Sequence, residues 1–231
     1  MATMLVTGAT KGLGYETARQ LIAAGHTVYV SGRDFGRAQQ AADELGGIPI
    51  QIDVADDASV AASALQVRAE ASRLDVLVNN AGIAGSRKAA SETTAADMLA
   101  VYDTNVFGVV RMMTAYLPLL LESDHARVVN VSSGLGSLAV TNDPERHESG
   151  LLLLAYPSSK SAVNMLTSQY AKNYPTMQIN AVDPGFTSTD FNQHRGTQTI
   201  EQGVEIIVSM ALGTGNNTTG AFVDAHGVMP W

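Results

Sequence analysis

Apolar positions follow two rhythms along this chain. Short, nearly continuous runs rich in Val, Ile and Leu occupy positions 4–7, 27–31, 48–52, 76–78, 128–131, 179–182 and 221–223. Runs of this length and type predict β-strands buried on both faces, as parallel strands are. Between them, apolar residues recur at helical spacing over 13–24, 35–45, 57–72, 95–121, 156–172 and 200–212. Ser91 and Thr94 offer side-chain caps before the long fourth helix. Strand and helix alternate from end to end, which predicts a doubly wound, Rossmann-like parallel sheet with helices on both faces. No internal repeat, low-complexity tract or linker divides the chain, so 1–231 is expected to form a single α/β domain.

Composition narrows the function classes. At 231 residues and 45% hydrophobic, the chain can bury a substantial core. Its net charge of −8 argues against nucleic acid or an anionic membrane as the main partner, while leaving room for a local basic pocket. No apolar stretch approaches the roughly 18 residues of a membrane span. Positions 151–155 are too few, and 106–121 is interrupted by Gly108, Arg111 and Pro118. The first apolar run leads straight into a glycine turn with no basic leader before it, so no targeting segment is expected. Cysteine is absent, which removes disulfide and thiolate chemistry and suits a cytoplasmic location. Asn-x-Ser/Thr triplets begin at Asn130, Asn216 and Asn217, and without a secretion signal they read as chance. His26, His125, His147, His194 and His226 show no metal-ligand spacing, so no metal is expected. His147 and His194 stand in loops where a substrate could touch them.

Four motifs carry the chemistry. Thr7-Gly8-Ala9-Thr10-Lys11-Gly12-Leu13-Gly14 joins the first strand to the first helix. Its glycines permit positive φ and close backbone approach, and a helix N-terminus there favours a pyrophosphate. The spacing is neither G-x-G-x-x-G nor a P-loop, and an ordinary strand–helix turn is the bland alternative. Asn79-Asn80-Ala81-Gly82 ends the fourth strand, and Ser132-Ser133 follows the fifth. Tyr156 and Lys160 stand four apart and share one face of a helix. A Ser-His-Asp hydrolase would use such a serine, but no Gly-x-Ser-x-Gly surrounds Ser133.

In this order the four motifs resemble the short-chain dehydrogenase/reductase family, in particular its NADPH-dependent carbonyl reductases, over nearly the whole chain. The resemblance implies hydride transfer between NADP(H) and a carbonyl or alcohol substrate. It implies Tyr156 as acid/base, Lys160 as its activator, Ser133 (more than Ser132) as the group that holds the carbonyl, and Asn105 as keeper of a water in the proton path. A packed Asn is the plainer reading of Asn105. A lysine ammonium at ~4 Å and an effective dielectric of ~20 would favour the phenolate by about 4 kcal/mol, roughly three pK units, which would bring Tyr156 near 7. Lys160 would also hold the nicotinamide ribose. The cofactor shell implied comprises Gly8, Thr10, Lys11, Gly12, Leu13, Gly14, Arg33, Asp53, Val54, Asn80, Ala81, Gly82, Tyr156, Lys160, Pro184, Gly185 and Thr187.

Within that shell, Ser31-Gly32-Arg33-Asp34 ends the second strand, and the position where an acid would read the ribose of NAD aligns with Gly32. Arg33 and Lys11 would then clamp the 2′-phosphate of NADP(H), unless Asp34 reads a ribose instead or both cations merely face solvent. Asp53 would receive the adenine amino group or, alternatively, cap a helix. Positions 190–203 would form a small lid. Tyr156 stands 23 positions after Ser133, more than many members of the family have. The extra length falls in 137–150, which contains Glu145-Arg146-His147-Glu148 and is either a border of the substrate site or a solvated loop. That insertion leaves oligomeric state open, with a homo-oligomer compatible. Two rival functions stand beside the reductase: a 3-oxoacyl-thioester reductase, which would need a basic surface for its carrier, and a non-catalytic dinucleotide-binding regulator, which could dispense with Tyr156 and Lys160.

Overall fold

A computed structural model describes residues 1–215 and 218–231. Asn216 and Asn217, and with them two of the three Asn-x-Ser/Thr triplets, lie outside the described residues. The parallel sheet read from the apolar runs is the sheet the chain forms. In chain order the elements are β1 (Thr3–Val6), α1 (Gly12–Ala23), β2 (Thr27–Gly32), α2 (Phe35–Leu45), β3 (Ile48–Gln51), α3 (Asp57–Glu70), β4 (Val76–Asn79), α4 (Ala95–Tyr102), α5 (Gly108–Leu120), β5 (Arg127–Val131), α6 (Leu138–Thr141), α7 (Ala155–Asn173), β6 (Gln178–Val182), α8 (Ile200–Leu212), β7 (Phe222–Asp224) and β8 (Gly227–Val228). The strands lie in the order β3-β2-β1-β4-β5-β6-β7-β8, and all neighbours pair in parallel except β7 with β8. Order reverses between β1 and β4, so the crevice beyond their carboxyl ends is the switch point where such sheets bind ligands.

Alternation along each strand feeds two cores. On one face Leu5, Tyr29, Leu77, Val128 and Ile179 pack with Met112, Met113 and Tyr116 of α5 and Val163 of α7. On the other, Met4, Val6, Val30, Val78, Val129 and Val182 pack with Leu21 of α1 and Val204 and Ile207 of α8. Neighbouring residues thus go to opposite faces and both faces are covered, which is why the strands read as unbroken apolar runs.

Three expectations needed correction. The helix predicted over 95–121 is two helices joined by a π-turn at Asp103–Phe107. Gly108 N donates to Asp103 O across that turn, and Arg111 Nη1 donates to the same carbonyl at 3.0 Å. Thr94 caps α4 in a reciprocal box with Asp97, whereas Ser91 lies inside a short 3-10 turn. Residues 137–150 are not irregular throughout: Ser137 caps the one-turn helix α6, and His147–Gly150 forms a 3-10 turn.

Beneath the carboxyl ends of β4 and β5 a buried polar chain fixes the strands to α7. Asn79 Nδ2 donates to Asn130 Oδ1 at 2.8 Å, and Asn130 Nδ2 donates to Thr167 Oγ1 at 2.9 Å. Asn130 is fully buried in the sheet, so its Asn-x-Ser triplet is structural. Asn130→Ala would strand the Asn79 amide. Unmatched buried groups cost roughly 1–3 kcal/mol each, so urea unfolding should show a stability loss of about that size with an unchanged m-value. A loss below about 0.5 kcal/mol would mean that the chain is not under the tension of burial assigned to it.

Candidate active site

The glycine turn and the turn after β4 are locked together by one hydroxyl. Thr7 Oγ1 accepts from Asn80 N at 2.9 Å and Ala81 N at 3.0 Å, and Asn80 Nδ2 donates back to Thr7 O at 2.8 Å and Gly8 O at 3.2 Å. Two glycines are required by this closeness. Gly8 has φ +64°, and a side chain there would stand 3.1 Å from Ala81 Cα. A side chain at Gly14 would collide with Gly8 O and the Asn80 amide. Lys11 begins α1 without any side-chain cap, so the first N–H groups of that helix open onto the crevice. Thr10, Gly12 and Leu13 are half-buried along the same turn. An uncapped helix start, a turn with no room for side chains and a switch-point crevice together fit a dinucleotide pyrophosphate.

At the adenosine side the polar groups sort differently from expectation. Asp34 is the N-cap of α2, its carboxylate accepting Arg37 N at 2.9 Å, so one oxygen is already committed. A side chain at Gly32 would collide with the Thr10 methyl, which explains why no acid stands there. Arg33 is exposed, and among the described residues its guanidinium enters no ion pair. Lys11 is not free: its ammonium lies 3.0 Å from Asp190, which also meets His194 at 3.0 Å. Asp53 caps no helix, since Asp56 caps α3; it accepts Ala55 N at 3.0 Å while its own N–H donates to Ser59 Oγ. Val54 is buried against Gly108 at the π-turn.

The reacting groups converge where β5, α7 and the π-turn meet. Lys160 is 5% exposed, and its ammonium donates to Val131 O at 2.7 Å. A side chain at Gly82 would reach 3.4 Å from Asn105 Oδ1 and 3.8 Å from Lys160 Nζ, so this glycine keeps the pocket open. Asn105 is buried and fully engaged: Oδ1 accepts Ile83 N at 2.8 Å, and Nδ2 donates to Ile83 O and to Ser159 Oγ, both at 3.0 Å. Ser159 Oγ in turn donates to Tyr156 O at 2.7 Å, so Asn105 fixes the start of α7. The two serines divide. Ser132 is buried with its hydroxyl on Asn164 at 2.6 Å, whereas the half-buried Ser133 hydroxyl accepts Leu135 N and meets the Tyr156 phenol.

One electrostatic expectation fails. The Tyr156 phenol is not brought near neutrality. The Lys160 ammonium lies 5.6 Å from the ring centroid, and burial pushes its own pKa down to about 8. Burial pushes the Tyr156 phenol well up, the negative Asp183 adds to that, and the Ser133 hydroxyl opposes it. The simple charge–charge figure omitted the desolvation of a buried phenolate, which leads the upward shift.

Past β6, Pro184, Gly185 and Thr187 form a tight turn. Gln198 donates to Pro184 O and to Thr187 Oγ1, and Asn192 Nδ2 donates to Thr187 O at 2.8 Å. Only glycine at 203 lets α8 close on Thr187. The segment over the crevice is therefore 190–199; the expected lid overran into the first turn of α8. Phe191 packs on the Tyr156 ring at 5.5 Å between centroids, and Phe186 packs on His147 at 5.5 Å. Both phenylalanines stay partly exposed, as do Leu152 and Leu154 just before Tyr156. Sequence reasoning passed over Phe186 and Phe191, whose only signal was their place in the turn after β6. It also missed Asp183, which with Glu148 of the charged run 145–148 flanks Gly134 beside Ser133: a side chain at Gly134 would meet Glu148 Oε1 at 2.9 Å and Asp183 Oδ2 at 3.0 Å.

Comparison with known proteins follows this geometry. The family model for short chain dehydrogenase matches residues 2–200. The short-chain dehydrogenase anuI of Penicillium roqueforti is 37% identical over 235 residues, covering 96% of this chain and 93% of that protein. The (+)-neomenthol dehydrogenase of Arabidopsis thaliana is 32% identical, covering 90% of each chain. Among solved structures, the NADPH-bound carbonyl reductase from chicken fatty liver superposes with a TM-score of 0.88 at 28% identity, covering 100% of this chain and 99% of the other.

The buried ammonium makes a stability prediction. Lysine ordinarily titrates near 10.5, and folding lowers Lys160 to about 8. Below about 8 both folded and unfolded chains hold the proton, so the destabilisation is fully present. Between about 8 and 10.5 the unfolded chain holds more protons than the folded one, so stability rises with pH and the destabilisation is relieved. Lys160→Met should therefore be more stable than the parent at neutral pH, by chemical denaturation, and its advantage should shrink as pH rises through that window. An advantage that stays constant with pH would contradict a charged, buried Lys160.

Proposed function

This chain belongs to the short-chain dehydrogenase family, and on that premise we propose that it is an NADP(H)-dependent reductase of apolar ketones or aldehydes. The observation that carries the reading is the meeting of the Ser133 and Tyr156 hydroxyls above a buried Lys160, at the open end of a glycine turn. In this reading both hydroxyls hold the substrate carbonyl oxygen. Bound NADPH supplies the hydride. Tyr156, whose phenol keeps its proton at neutral pH, gives that proton to the developing alkoxide. Lys160, with a pKa of about 8, is largely ammonium at neutral pH and stabilises the phenolate left behind. Asn105 contributes by holding the π-turn against α7, since its side chain is committed to Ile83 and Ser159. Phe186, Phe191, Leu152 and Leu154 give the mouth an apolar rim, which supports an apolar substrate.

Preference for NADP(H) over NAD(H) rests on Arg33 at the end of β2, on the absence of an acid at position 32 and on the commitment of Asp34 to the α2 cap. The NADPH bound in the chicken carbonyl reductase supports it. Lys11 would serve the 2′-phosphate only by leaving or sharing Asp190. The regulator alternative has no specific observation in its favour.

Two measurements test the reading. Tyr156→Phe should lower kcat for ketone reduction by a factor of about 10²–10⁴ and change NADPH affinity by no more than a few-fold. Near-full activity in that variant would remove Tyr156 as the acid. For the coenzyme, a charge-assisted hydrogen bond contributes about 1.5–3 kcal/mol, so Arg33→Ala should cut kcat/KM with NADPH by roughly 10- to 100-fold. Rates with NADH should barely change, because NADH has no phosphate for Arg33 to hold. Equal losses with both coenzymes would assign Arg33 to the fold rather than to the phosphate.

A further inference from the structure

The inserted segment 137–150 meets the reaction centre through two neighbouring side chains, His147 and Glu148. Glu148 Oε1 lies against Gly134, the residue after Ser133, where an added side chain would stand 2.9 Å from it. His147 packs its ring on Phe186, with centroids 5.5 Å apart and planes at 36°. Phe186 belongs to the turn after β6. Val182 at the end of β6 pairs with Val131 at the end of β5, just before the two serines. The His147–Phe186 pair is therefore brought beside Ser133 by two independent chain paths. A second pair stands at Tyr156, whose ring packs on Phe191 with centroids 5.5 Å apart and planes at 57°. Each reacting hydroxyl thus has a ring pair beside it. These contacts do not use up the rings: His147 is exposed, and Phe186 and Phe191 remain 39% and 45% exposed. Leu152 and Leu154, also exposed, continue the apolar surface from the inserted segment to Tyr156.

We propose that His147 is a specificity-determining residue, which with Phe186 and Phe191 makes the mouth a slot for a carbonyl carried on a flat aromatic ring. Aromatic rings pack on one another in tilted or offset contact with centroids about 4.5–7 Å apart, a range that both pairs already occupy. A planar ring entering beside Ser133 can use the free faces of the same rings, and it brings no internal torsions to freeze. A saturated chain of equal carbon number gains no ring contact and loses internal freedom on entry. The inserted segment thereby gains a role, since it delivers to the mouth a ring that the glycine turn, β5 and α7 do not supply. This inference deepens the reductase reading and, for its kinetic arm, rests on it.

The test compares methyl phenyl, methyl cyclohexyl and methyl hexyl ketone, which have equal carbon counts and differ in flatness and ring closure. The parent should favour the phenyl ketone in kcat/KM over both others by about ten-fold. His147→Ala and Phe186→Leu should each lower that preference by about 3- to 10-fold, chiefly through KM. His147→Phe, which keeps a ring, should restore it. A parent that reduces all three ketones equally, or a His147→Ala variant that loses all three in equal proportion, would overturn the aromatic slot and leave the reductase reading intact. A second readout needs no turnover. Calorimetric dissociation constants of the three ketones from the enzyme loaded with NADP⁺ should show the same order and the same loss in His147→Ala. Equal affinities in that complex would overturn the slot whatever the rates. If no ketone is reduced but the order of affinities holds, the reductase reading falls and the role of His147 stands.

Discussion

Lys160 keeps a positive charge in a place with 5% exposure and a single strong acceptor, Val131 O. A buried charge is tolerated only where neighbours are arranged for it. Much of the local architecture follows from that demand. Val131 ends β5, so the acceptor is a strand carbonyl that has run out of sheet partners. Gly82 leaves room beside the ammonium, Asn105 rigidifies the wall opposite, and Asn130 and Thr167 fasten α7 to the sheet about two turns further along the helix. The π-turn belongs to the same set: it lets Asn105 reach Ile83 and Ser159 at once, where a continuous helix would aim it elsewhere.

The frame of the sheet was legible because parallel strands advertise themselves. Val76–Asn79 is buried throughout, and Arg127–Val131 and Gln178–Val182 are buried beyond their first residues, with Val, Ile and Ala at most positions. Helices α2 and α8 were legible to the residue because local chemistry marks both boundaries: Asp34 and Thr199 cap their starts, and Gly46 and Gly213 in left-handed conformation end them. The hairpin of β7 and β8 was not, since a two-residue strand has no period. The break at Asp103–Phe107 was not, since the groups that meet it include Ile83 and Val54, which are remote in sequence.

The site divides along the same line. Ser133, Tyr156, Lys160 and the glycine turn were readable as motifs, and the fold brings them together. The electrostatics were not readable, because pKa shifts depend on burial and on partners that spacing does not reveal. Tyr156 alone looks like a tyrosine beside a lysine; in place, it is a tyrosine beside a serine, with a carboxylate near by. Glu148 and Asp183 meet only because β5 and β6 are neighbours and the inserted segment folds back across Gly134.

The same reasoning separates the two cations first read as a phosphate clamp. Arg33 stands at the end of β2 with no carboxylate against it, whereas Lys11 is bridged to Asp190 on the segment that covers the crevice. Both partners of that bridge are more than half exposed, so the ion pair itself contributes little, in the range of 0–1 kcal/mol for exposed pairs. A weak pair is easily exchanged. An incoming phosphate carrying nearly two negative charges would compete well for Lys11 and would release Asp190 and, with it, His194. On the proposed reading Arg33 is the residue on which discrimination between the two coenzymes would depend most simply, while Lys11 joins the glycine turn to the segment that covers the crevice. The turn and that segment are joined through an exposed contact weak enough to change partners.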